Sequence, residues 1–213
     1  MKRLAIIGAS GHGKVVAELA ELLGWTEIVF FDDAFPQVNQ VEVWTVRGKT
    51  EDLWEQITDF DGCIVAIGNN LIRRRKTQDI LINQGNLVSL IHPSSSVSKY
   101  TVIEAGSVVM AGAIINPFSK IGSACIVNTL ASIDHDCVLA DGVHISPGVN
   151  LAGAVKIGQQ SWIGIGASVK QSISIGDDVI VGAGAVVVSD VAKGLVVVGI
   201  PAKVKNIGYK HKC

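Results

Sequence analysis

Residues 121–151 read IGSACIVNTLASIDHDCVLADGVHISPGVNL, and Ile121, Val127, Ile133, Leu139, Ile145 and Leu151 fall at every sixth position. Followed outward, the series gains Val97, Ile103, Val109 and Ile115 on one side. On the other it gains Ile157, Ile163, Val169, Ile175, Val181 and Val187, with no slip. Four residues after each aliphatic comes a small or β-branched residue, among them Thr101, Ser107, Ala113, Ser119, Cys125, Ala131, Cys137 and Ala167. A period of six fits neither a helix nor a simple two-residue alternation, so it predicts a solenoid of short strands joined at corners. The aliphatic residue fills the core and the small one fits beside the corner. Unbroken register predicts that no long loop leaves the solenoid. Outward-facing Val102, Val138 and Ile180 are easier to explain if another chain partly covers them.

The residues before the hexads follow another rule. Leu4–Ile7 reads as a buried strand that runs into Gly8-Ala9-Ser10-Gly11-His12-Gly13-Lys14 and then a helix from Val15 to Leu23. Ile28–Phe31 reads as a second strand ending at Asp32-Asp33. Cys63–Ile67 reads as a third, followed by Gly68-Asn69-Asn70 and a helix to Asn83, and Leu87–Ile91 as a last short strand. This alternation predicts a small parallel sheet. Glycines after the first strand let a phosphate approach the amides of a helix start. Asp32, at the tip of the second strand, is placed to bond a ribose hydroxyl, and Gly68 falls on the same sheet edge. The spacing is GxxGxG rather than GxGxxG, and a turn that merely joins strand to helix explains it too. A half-sized sheet suits a mononucleotide better than a dinucleotide.

Net charge is −1, and Arg73-Arg74-Arg75-Lys76 is the one basic cluster, so composition gives no nucleic-acid surface. That cluster reads as the solvated face of a helix. No apolar run reaches membrane-spanning length, and no signal peptide is visible. Cys63, Cys125 and Cys137 read as core thiols, and with Cys213 they form no CxxC pair. A cytoplasmic location is expected.

His135 lies in Ile133-Asp134-His135-Asp136-Cys137, at the third position of its hexad, where a side chain can point outward. A neighbouring carboxylate raises an imidazole's basicity, so His135 is a candidate general base, with Asp136 or Asp134 as its partner. A solvated surface histidine flanked by acids fits the same residues. His144 follows nine residues later; in the eighteen-residue coil that a resemblance to the hexapeptide-repeat acyltransferases implies, this is half a coil, on the opposite side of the solenoid. If both serve one site, they come from different subunits.

The hexads resemble those of the hexapeptide-repeat acyltransferases. With the front half included, the chain resembles the sugar O- and N-acetyltransferases related to sialic acid O-acetyltransferase. Within them it is most similar to the branch acting on UDP-linked 4-amino sugars of the bacillosamine type. The likeness rests on GASGHGKV, Asp32-Asp33, AIGNN with Arg73, LIHPS, NTLASIDHDC and VGIPAK. It implies a Rossmann-like α/β domain over residues 1–92 that binds the sugar nucleotide. Residues 93–213 would then form an all-β left-handed parallel β-helix of about five coils and a tail, assembling as a homotrimer with active sites between subunits. Ser10, Gly11 and His12 would face the diphosphate and sugar, Asp32 and Asp33 the nucleoside, and Gly68 the base or ribose. His135 would be the general base and Asp136 its polarising acid. His144, Gly153, Ile165 and Ala183 would meet acetyl-CoA, with Lys203 near a coenzyme phosphate. The implied reaction is direct N-acetylation of a UDP-linked 4-amino-4,6-dideoxy sugar, without a metal.

Three other readings compete. Sialic acid O-acetylation, or N-acetylation of a GDP- or dTDP-linked amino sugar, would keep the fold and mechanism. A nucleotide-sugar-binding scaffold would keep the fold without chemistry. A γ-type carbonic anhydrase would use His92, His135 and His144 on zinc, although the nucleotide-type front half has no place in that enzyme.

Overall fold

The computed structural model describes residues 2–205; Cys213 lies outside the described residues. The chain divides into two compact units, Met1–Pro93 and Ser94 onward.

In the first unit, β1 (Arg3–Ile7), α1 (Gly11–Leu22), β2 (Glu27–Phe31), β3 (Gln40–Val41), β4 (Trp44–Gly48), α2 (Thr50–Trp54), β5 (Gly62–Val65) and α3 (Asn70–Ile82) follow in order. The sheet order is β3-β4-β2-β1-β5, parallel throughout except for the β3–β4 hairpin. Ala5, Ile7, Phe31, Leu53, Cys63 and Ile80 form part of its core. A short strand, Leu90–Ile91, closes the unit, and Leu87 makes only a single bridge to Cys63.

The structure departs from the sequence reading at three places here. Helix α1 begins at Gly11, not Val15, because Gly8 (φ +107°) completes the turn and Ser10 takes the extended N-cap conformation. The β3–β4 hairpin lacks a clear strand signature because the edge strand β3 has only two residues and β4 buries only Val46 and Gly48. Arg73 is not solvated: it is 1% exposed, on a buried helix face made of Asn70, Arg73, Thr77 and Ile80. A mostly polar inner face defeats an apolar-periodicity reading. The buried guanidinium keeps hydrogen-bond partners by donating to Ile67 O (3.0 Å), Gly68 O (3.1 Å) and Asn70 Oδ1 (2.8 Å).

The second unit is a parallel β-helix of sixteen two-residue strands, one per hexad, from Ser96–Val97 to Val186–Val187. Each pairs with the strand eighteen residues away, as Ile114–Ile115 does with Ser132–Ile133. Three stacks result. The first runs from Ser96–Val97 to Val186–Val187, the second from Val102–Ile103 to Ser174–Ile175, and the third from Val108–Val109 to Ile180–Val181. Val196–Val198 extends the third stack, and the chain then turns back through Gly199 to pair Lys203–Val204 antiparallel with it. The aliphatic series and the small residues form one continuous core. The register is unbroken, as the sequence requires, and each coil contributes three corners that stack into three long edges.

Cys63, Cys125 and Cys137 are buried thiols outside any disulfide, and burial pushes the Cys63 thiol up to about 12. Among the described residues no helix is long and apolar enough to cross a membrane.

Candidate active site

One edge of the prism joins the first stack to the second. Its corners are Lys99–Tyr100, Pro117–Phe118, His135–Asp136, Gly153–Ala154 and Gln171–Ser172, one pair per coil. His135 therefore sits on an edge, with its side chain 58% exposed. Its Nδ1 lies 2.7 Å from Asp136 Oδ2. A carboxylate only accepts, so Nδ1 carries the proton and Nε2 keeps the lone pair. The hydrogen bond that His135 donates to Asp136, reinforced by the charge of Asp134, raises the histidine's pKa above its usual value. The two acids thus have different tasks. Asp134 Oδ1 accepts the His135 backbone N–H (2.8 Å) and an Asn116 Nδ2–H (2.9 Å), and these bonds lower its own pKa. Asn116 escaped the sequence reading, although the coil period places it directly beside Asp134.

Gly153 lies one coil beyond His135 on this edge. A Cβ there would come within 2.7 Å of both Cε1 and Nε2 of the imidazole. The backbone at Gly153 is thus the floor on which the ring rests. Its neighbours Ala152 and Ala154 donate to Val169 O and His135 O in the coil ladder. In the coil before His135, exposed Phe118 stacks on Tyr100 with centroids 5.4 Å apart.

His144 lies on the face opposite that edge, on the third stack. It stacks on Trp162 (5.2 Å, 11°), and its Nε2 is 3.3 Å from Asn128 Nδ2. Ile165 and Ala183 are successive corners of a different edge, between the third and first stacks, together with Pro147–Gly148. Within one chain, then, Gly153 joins His135, whereas Ile165 and Ala183 lie apart from both. Lys203 is exposed in the returning strand. Among the described residues no group of three His, Cys, Asp or Glu side chains is arranged to hold a metal ion.

In the first unit, the C-terminal ends of β1, β2 and β5 are adjacent through the Ile7–Phe31 and Ile7–Val65 registers. This gathers Gly8–His12, Asp32–Asp33 and Gly68 on one edge. The glycines divide by role. A Cβ on Gly8 would strike Ile67 and one on Gly13 would strike Gly8 O, so those two serve packing. Gly11 and Gly68 face open space. Ser10 makes no side-chain cap bond, and the first N–H groups of α1 have no partner within the helix. Asp32 accepts from Ala9 N (2.7 Å) and Ala34 N (2.9 Å), which ties the first loop to the second. Asp33 pairs with Lys76 (3.1 Å). His12 Nε2 is buried with no hydrogen-bond partner, and burial, helped by Arg73, lowers its pKa to about 4.

Comparison with known proteins places these two sites in one context. A family model for the PglD N-terminal domain matches residues 3–80, and one for the bacterial transferase hexapeptide matches residues 154–189. The acetyltransferase domain of PglB from Neisseria gonorrhoeae FA1090, solved with acetyl coenzyme A, is 46% identical over 96% of this chain and 99% of its own, with TM-score 0.91. The chain belongs to this family of hexapeptide-repeat sugar acetyltransferases. Another family member is a histidine-to-asparagine variant of perosamine N-acetyltransferase from Caulobacter crescentus, solved with CoA and GDP-perosamine. It is 38% identical, covers 97% of this chain and 98% of its own, and has TM-score 0.92. UDP-N-acetylbacillosamine N-acetyltransferase of Bacillus subtilis is 37% identical over 52% of each chain. The chain thus spans about half the length of the curated relatives it matches.

Proposed function

We propose that this protein transfers the acetyl group of acetyl-CoA to the 4-amino group of a UDP-linked 4-amino-4,6-dideoxy sugar. The observation that carries the chemistry is the His135–Asp136 pair. It is an exposed imidazole with its Nδ1 proton anchored, its Nε2 free and its basicity raised. As the amine nitrogen attacks the thioester carbonyl, Nε2 takes the amine proton. The C–N bond forms and the carbonyl oxygen becomes an oxyanion, which a backbone amide at Gly153 is suited to hold. Collapse breaks the C–S bond, and the imidazolium returns its proton to the departing thiolate. No acyl-enzyme is needed, and Cys137 is buried in the core.

The nucleotide is assigned to the first unit. The free N–H groups at the start of α1, with Ser10, Gly11 and neutral His12, would take the diphosphate and sugar. Asp32, Asp33 and Gly68 would take the nucleoside. His144, Gly153, Ile165 and Ala183 are assigned to acetyl-CoA. Because His135 lies on a different edge from Ile165 and Ala183, a site using all of them draws on two chains. This supports a homotrimer with interfacial sites. The cytoplasm is kept as the proposed compartment.

The choice of UDP rests on the bacillosamine-type likeness. The GDP-perosamine enzymes support a second reading, a GDP-linked acceptor, with the same chemistry. Release of coenzyme A thiol, followed with UDP-, GDP- and dTDP-linked 4-amino sugars and with sialic acid, tests both. Turnover with the UDP sugar alone supports the proposal. Turnover with the GDP sugar or with sialic acid replaces the acceptor, and no turnover with any of them removes the activity.

A further inference from the structure

We infer that Ser119 is a positioning residue for the His135–Asp136 pair, acting from inside the core; this rests on the acetyl-transfer reading above. Ser119 is wholly buried at a small hexad position. Its Oγ donates to Asp134 O (2.7 Å) and accepts the Cys137 N–H (3.1 Å). One hydroxyl therefore ties together the residues on either side of the corner that carries the base and its acid. That corner is strained, since Asp136 has φ +59°. The tie fixes the backbone from which both side chains project and so maintains their 2.7 Å contact.

The same post recurs along this edge. Thr101 Oγ1 donates to Asn116 O (3.0 Å) and Cys137 Sγ to Ala152 O (3.3 Å), next to the Gly153 floor. The edge carrying Ile165 and Ala183 is built differently. Its corresponding residues Ala113, Ala131, Ala167 and Ala185 have no side-chain donor, and their own N–H groups close the turn onto the carbonyl three residues back. Ser107 supplies an internal control. It donates to Gly122 O (2.7 Å) and accepts from Cys125 N (3.0 Å), the geometry of Ser119, but on the edge between the second and third stacks, far from any proposed catalytic side chain.

The test compares Ser119→Ala with Ser107→Ala. Both remove equivalent bonds and should lose similar thermal stability. Ser119→Ala should lower kcat on the order of tenfold, with KM for acetyl-CoA and acceptor unchanged, because only the alignment of the base is disturbed. Ser119→Cys should recover much of the loss, since Cys125 and Cys137 donate from equivalent posts. The His135 titration midpoint, read by NMR from its ring protons, should fall in Ser119→Ala as the Asp136 contact loosens. The titratable groups close to the ring are Asp134 and Asp136; the coils on either side present Pro117–Phe118 and Gly153–Ala154, with Lys99 and Tyr100 further along the edge. The NMR readout needs no acceptor, so it decides the role of Ser119 even if the acceptor is misassigned. Equal kinetic losses in the two alanine variants, or an unmoved His135 midpoint in Ser119→Ala, would overturn the inference. If Ser119→Ala does not fold, Ser119→Cys is compared with Ser107→Cys by the same readings.

Discussion

Two edges of the same prism solve one backbone problem in opposite ways. On the Ile165–Ala183 edge, Gly112, Gly148, Gly166 and Gly184 occupy the left-handed corner position, with φ between +66° and +67°, and Leu130 (φ +57°) is the exception. On the His135 edge the same position holds Phe118, Asp136, Ala154 and Ser172, with φ between +59° and +64°. A side chain in that conformation costs roughly 1–2 kcal/mol, which glycine avoids. The cost is accepted where a side chain is wanted outside the corner, and buried hydroxyl or thiol donors brace that edge. Apart from Leu130, the glycine edge carries no side chain at its left-handed corners and leaves backbone bare, which suits close passage of a slender ligand. On the proposed function, the first edge would act through its side chains and the second through its bare backbone.

The largest effect expected from breaking the contrast is that of His135→Ala. Turnover should fall by about 10²–10⁴-fold with nucleotide affinity retained, as thiol release and calorimetry would read. Next comes a matched pair of glycine substitutions. Gly153→Ala places a methyl group against the imidazole and should lower kcat about 100-fold. Gly184→Ala meets nothing within 4 Å but sits at φ +66°, so it should cost about 1 kcal/mol of stability and leave the His135 titration in place. Kinetics and thermal melts on the two variants check this.

A smaller effect concerns the opposite kind of histidine. His12 is buried neutral, with a pKa near 4 against 6.5 for the free side chain. Between those values the unfolded chain binds more protons than the folded one. Stability should therefore be full above about pH 6.5 and decline as pH falls toward 4, by up to roughly 3 kcal/mol. Denaturant titrations of the wild type and His12→Gln across that window would show the decline only in the former.

The solenoid was legible because its inward requirement repeats every six residues from Val97 to Val187, and repetition turns weak preferences into a firm pattern. The His135–Asp136 pair was legible as an imidazole between two acids, but not which acid would bond the ring. Side-chain direction at a left-handed corner settled that. Ser119 and Thr101 were visible only as small residues, because a six-residue pattern registers size and not the hydrogen bonds a hydroxyl makes one coil away. Arg73 was misread for a related reason: its acceptors are the carbonyls of Ile67 and Gly68, which no side-chain pattern displays.

The most direct measurement of the central claim is the pH dependence of kcat/KM for the wild type and Asp136→Asn, with the same acetyl-CoA and acceptor. Asparagine keeps the size and tolerates the corner, so only the charge is lost. The acceptor amine titrates identically in both. The account predicts an ascending limb for His135 with its midpoint above 6.5 in the wild type, displaced downward in the variant, and a kcat about tenfold lower. Superimposable profiles of equal height would contradict it.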